Sequence, residues 1–133
     1  MPVNMSYPKS RDVRMKAFTV ARTDNATEKC VLPKDAVVVA VMVLQDVSAS
    51  TAAGAVTVSC GADADGILNA FSMATTAVGL VAPGTAYGSS IGVKLTADSV
   101  VKSTYTVGSS TAGGTGTVFI YYIVPGPGEN HLS

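Results

Sequence analysis

The chain has 133 residues, 47% of them hydrophobic and only 14% charged, with nine basic and nine acidic side chains. That length suits one domain with a real core, on a surface far poorer in charge than the ~25% of an average soluble protein. Neutrality overall argues against nucleic-acid binding, and the most apolar run, the nine residues Ala36–Leu44, is about half a membrane span.

A small domain with so little charge must either solvate its neutral surface with Ser, Thr and backbone or hide part of it against another subunit. The composition favours the second. Charge is also uneven. Residues 1–34 hold seven of the nine basic and three of the nine acidic residues, a net +4, which leaves −4 on residues 35–133. Opposite-signed stretches can steer one copy's N-terminus onto a neighbour or onto an acidic host surface; a solvated leader accounts for the same composition.

In chain order, residues 1–15 read as an extended basic arm, with Pro2, Pro8 and scattered charges where a signal peptide needs an apolar run. The expectation is therefore a protein made in the cytoplasm. Lys16–Ala21 alternates as a strand, Arg22–Thr27 turns, and Glu28–Leu32 forms a second strand ended by Pro33. Asp35–Val47 is apolar on both faces, as a central strand covered on each side should be. Its density of valine decides against helix, because β-branched side chains suit the pleated surface. Ser48–Gly54 is a loop of small residues, Ala55–Cys60 a strand, and Gly61–Gly66 a turn. Ile67–Ala74 fits either a helical turn or an edge strand. Pro83-Gly84 marks a turn, and strands follow at Ser90–Leu95, Ser103–Val107 and Thr117–Val124. In the last, Val118, Ile120 and Tyr122 share one face, and Phe119, Tyr121 and Ile123 the other. Seven strands, an eighth in doubt, and no amphipathic helix predict an all-β protein: an antiparallel β-sandwich or jelly roll. The expected layout is the arm 1–15, a β-domain 16–125 and a tail 126–133.

Chemistry is sparse on this body. Beyond Asp35 there are two lysines, no arginine, and no histidine before His131, so no hydroxyl or thiol has a base to activate it. Catalytic residues, cofactor and metal are all expected to be absent, and the chain is expected not to be an enzyme. Asp63-Ala-Asp65-Gly66 looks like the opening of a calcium loop but lacks the later ligands, apart from Asn69; Asp and Gly are ordinary turn residues. Gly113-Gly-Thr-Gly116 has the glycines of a phosphate loop but leads into a strand without a lysine, so a hairpin loop explains it. Asn25-Ala-Thr27 fits a glycosylation sequon and equally a turn. Cys30 and Cys60 lie in strand-like runs, where buried free thiols are commoner than a disulfide. Tyr87, Tyr105 and Tyr121 could line a sugar-binding groove, or else a core or subunit contact.

The runs VLPKDAVVVAVMVLQDV, DADGILN, SIGVKLTADSVV and TAGGTGTVFIYYIVP resemble the capsid decoration (cement, or head-auxiliary) proteins of tailed bacteriophages. The resemblance spans residues 16 to about 125 and lies in strand-and-turn texture. It implies a β-sandwich or jelly roll, often trimeric, that sits on the outer face of an icosahedral head in the virion and bridges capsomers of the major capsid protein. It also implies no active site. The arm would make lattice contacts, and Lys9, Arg11, Arg14 and Lys16 are the candidate capsid or subunit contacts. Neither nucleic acid nor membrane is an expected partner. The alternative is a receptor- or carbohydrate-binding head of a tail fibre or spike.

Overall fold

The computed structural model describes residues 12–47, 54–73, 79–107 and 113–125. Among them are eight strands: β1 (Arg14–Val20), β2 (Thr27–Leu32), β3 (Val37–Val47), β4 (Ala55–Cys60), β5 (Asp63–Ser72), β6 (Gly79–Val81), β7 (Ser99–Thr106) and β8 (Thr115–Ile123). They form two antiparallel four-stranded sheets, ordered β1-β8-β3-β6 and β2-β7-β4-β5. The pairs β1·β8, β2·β7, β3·β6 and β4·β5 each add to nine, which is the pairing of one long hairpin folded at its middle. Wrapping that hairpin brings β8 beside β3 and β7 beside β4. This is the eight-stranded jelly roll.

The two sheets enclose one core, built from inward residues of both: Val41, Val43, Val118 and Ile120 from the first, Val56, Val58, Leu68 and Val101 from the second. All of these are completely buried, and each contributes about 1.5–3 kcal/mol by leaving water. The face of β8 expected to point inward does so, with Val118, Ile120 and Tyr122 buried.

Several boundaries differ from the sequence reading. β3 starts at Val37, because Ala36 N–H closes a turn onto Pro33 O and Asp35 holds φ +73°. The turn expected over Gly61–Gly66 is confined to Gly61-Ala62; Asp63 to Gly66 extend β5, which makes the doubtful segment a strand. β6 had no sequence counterpart.

Ser90–Leu95 is not a strand. Gly92 takes φ +81° and redirects the chain, so the backbone around it serves both sheets. Gly88, Ser89 and Ser90 N–H donate to Ile67, Asp65 and Gly66 carbonyls on β5, at 3.0, 3.2 and 2.9 Å. Gly92 and Leu95 N–H donate to Val38 and Ala36 carbonyls at the start of β3, at 2.8 and 2.9 Å. Residues 88–95 are thus a clip across one side of the sandwich. Gly88 has to be glycine, since a Cβ there would run into the backbone of Gly66 and Asp65.

Candidate contact surface

Because strand residues alternate, the register that buries Val118, Ile120 and Tyr122 turns their neighbours outward. Across the first sheet these form continuous rows: Met15, Tyr121 and Ala40; Ala17, Phe119 and Met42; Thr19, Thr117, Leu44 and Leu80. Met15 is 51% and Leu80 60% exposed. Val13 continues the stripe beyond β1, and the bulged Val39 and terminal Val47 of β3 are exposed as well. The rows contain no charged side chain. Asp46 stands at the far end of β3, and Arg14 at the start of β1.

The outer face of the second sheet follows the usual rule for an antiparallel sheet, with apolar residues inside and polar ones outside. Its rows read Val31 and Val100, the one apolar pair; then Glu28, Lys102 and Ser59; then Thr104 and Thr57; then Thr106, Ala55 and Ser72. Thr104, Thr57 and Ser59 engage nearby backbone. Thr104 Oγ accepts from Ala26 N–H at 2.9 Å, and Thr57 Oγ from Ala70 N–H at 3.2 Å.

The structure distributes the residues singled out from sequence as follows. Lys9 and Arg11 lie outside the described residues, as does His131. Arg14 is exposed opposite Tyr122, and Lys16 is half-buried opposite Ile120. The Lys16 charge acts on the Cys30 thiol, which burial pushes up and the lysine partly offsets. Cys30 and Cys60 are both free thiols. Each is paired with Val101, from opposite sides of β7, so two strand spacings of about 4.8 Å separate them, beyond disulfide reach. Cys60 is likewise pushed up, first by burial and then by the Asp63 carboxylate, which makes it a poor nucleophile.

The three tyrosines do not share a groove. Tyr105 is buried, and Tyr121 lies on the outer face of the first sheet. Tyr87 bridges to Leu68 and donates to Val41 O at 3.4 Å. Gly114 sits against the Tyr105 hydroxyl, where a Cβ would clash, and the glycine run enters β8 as a loop should.

Asp63 and Asp65 do come together, around serines of the clip. Ser89 Oγ lies 2.6 Å from Asp63 Oδ2 and 3.1 Å from Asp65 Oδ1, and Ser90 Oγ donates to Asp63 Oδ2 at 2.8 Å. These bonds hold the Asp63 carboxyl below its ordinary range and use the carboxylate to fasten the clip to β5. A cavity of about 410 Å³ lies beside them, lined by Cys60–Asp63, Ser90 and Val93–Ser99. Among the described residues no three His, Cys, Asp or Glu side chains converge, and no helix is long and apolar enough to cross a membrane.

Sequence reading missed Asp24, which lies in the β1–β2 turn and is 94% buried. Its carboxylate accepts from Ala21 N–H at 3.1 Å, Ser103 Oγ at 3.0 Å and Lys29 Nζ at 3.1 Å. The turn is thereby tied to β7. Its only sequence signal was an acid within a turn, which most turns share.

No family model matches the chain, and no curated protein does. Among solved structures, a chain of the cyanophage Pam1 capsid asymmetric unit is similar to it in fold. The TM-score is 0.62 at 17% identity, over 94% of both chains. At that identity the likeness is one of fold.

Proposed function

We propose that this chain is a structural protein of a phage virion: a decoration, or cement, protein that binds the outer surface of an icosahedral head and strengthens contacts between capsomers. The observation that carries this reading is the whole-chain likeness to a capsid chain. The uncharged, apolar outer face of β1-β8-β3-β6 supports the assembly part of this reading, since such a face needs a protein partner. On this reading the partners are other copies of the chain, as a trimer, and the major capsid protein. The N-terminal arm with Lys9 and Arg11, and the start of β1 with Arg14 (expected from sequence to lie in the arm) and Lys16, add contacts to the shell. Binding and covering is the whole mechanism, and no covalent step is involved. Small side chains lose little rotamer entropy on docking, and many copies on one lattice multiply weak contacts.

The test is to titrate the purified protein onto heads that lack it. The expected result is saturable co-sedimentation at a fixed number of copies per head, with a higher temperature of DNA release. Heads that sediment without it at saturating protein would reject the reading.

A further inference from the structure

We infer that the outer face of β1-β8-β3-β6 is the surface on which copies of this chain associate, and that it is covered by a neighbouring copy before any capsid is met. The inference rests on the oligomeric part of the proposed function and names the surface that part requires. Three observations point to a second copy as the occupant.

The first is area. With strands about 4.8 Å apart and about 3.4 Å per residue, the ten residues of the paired rows cover about 330 Å² in projection, and Val13, Val39 and Val47 extend the face. A stable interface buries about 800 Å² per partner, so this face supplies a substantial, uncharged part of one, with its flanking strands and loops completing it. The second is composition. Met15, Phe119, Tyr121, Met42 and Leu80 with threonines between them, and no charge, match the apolar character of obligate homo-oligomer interfaces; transient ones are about as polar as ordinary surface. A face of this kind left bare on a free monomer would be an aggregation site. The third is charge. The molecule is neutral as a whole, but residues 1–34 carry +4 and the remainder −4. Copies therefore meet without net repulsion, and the sheet itself carries Arg14 at one end and Asp46 at the other, charges that an antiparallel neighbour would bring together.

The experiment is sedimentation equilibrium of the full chain beside two variants. Wild type is expected at a multiple of 13.4 kDa, and its mass gives the number of subunits. Met15→Lys with Leu80→Lys, both at exposed positions, should weaken association by about a hundredfold or more and move the mass to that of one chain. Thr106→Lys, on the outer face of the second sheet, should leave it unchanged. Circular dichroism reports whether each variant folds. Peroxide oxidation of Met15 in the wild-type protein needs no variant: slow oxidation is expected if a neighbour covers it, and rapid oxidation would contradict that. A wild-type monomer, or an oligomer indifferent to both lysines, overturns the inference. A monomer that still saturates phage heads would overturn it while leaving the decoration reading intact, and an oligomer that ignores heads would do the reverse.

Discussion

The two sheets of this jelly roll have the same number of strands, a matched pairing pattern and a shared core, yet one outer face is mostly apolar and uncharged and the other mostly polar. On β2-β7-β4-β5 the outward positions are mostly Thr and Ser with Glu28 and Lys102, plus Ala55 and one apolar pair, Val31 and Val100, at the end of β2, and hydroxyls hold the bends of their own chain. On β1-β8-β3-β6 they are Met, Phe, Tyr, Leu, Ala and Thr, and five of the eight exposed large hydrophobic residues belong to this sheet or its immediate approach. Folding a single chain requires only one apolar face per sheet. The second apolar face therefore adds nothing to the fold of the isolated chain, and its use lies in contact with something else. In one molecule, the second sheet shows what solvent tolerates and the first what a partner requires.

Substitutions can break this contrast, beginning with the largest effect. A lysine pair at Met15 and Leu80 should abolish assembly, and Thr106→Lys should not. Beside the second sheet the sensitive group is Asp24 in the β1–β2 turn, not the outer face. Asp24→Ala leaves Lys29, Ser103 and Ala21 N–H without their shared acceptor, and should lower the free energy of unfolding by about 3 kcal/mol in a denaturant titration, with the oligomer's subunit number unchanged.

The β3 sequence already held the clue to the contrast. Its valine-rich run is apolar on both faces and was expected to be covered on both. In the single chain the core covers one side only, leaving Val39, Ala40, Met42 and Leu44 on the other. Strand type and the inward face of β8 were legible because alternation is local. What was not legible depends on distant partners. Asp63-Ala-Asp65-Gly66 has turn chemistry but is held extended by pairing with β4 and by hydrogen bonds from residues 88–90. Ser90–Leu95 has strand composition but is bent by Gly92 so as to serve both sheets. No local pattern predicts three-residue β6, whose place is set by Val43, Leu44 and Gln45. The contact surface was legible only as an excess of neutral residues, because its rows assemble from four strands far apart in the chain.

Smaller effects sharpen the comparison at the seam between the sheets. Gly88→Ala forces a methyl group into the backbone of β5 and should cost about 1–3 kcal/mol, visible as faster hydrogen exchange in residues 88–95. Thr104→Val removes the acceptor for Ala26 N–H at an exposed site and should cost only about 0.5–1.5 kcal/mol. The smallest effect is pH-dependent. The folded-state pKa of Asp63 is depressed by Ser89 and Ser90. Its contribution is therefore complete above the unfolded carboxylate value and lost as pH falls through the folded one. The stability gap between wild type and Asp63→Asn should be constant at neutral pH and close below about pH 4. A gap that widens on acidification would reverse that assignment.

The most direct test of the account is a hydroxyl-radical footprint of the native, full-length assembly, read residue by residue on both outer faces. The account predicts that Met15, Met42, Phe119, Tyr121 and Leu80 are strongly protected relative to their exposure in a single chain, while Val31 and Val100 on the second sheet react as that exposure dictates. Equal reactivity of the two faces would contradict it.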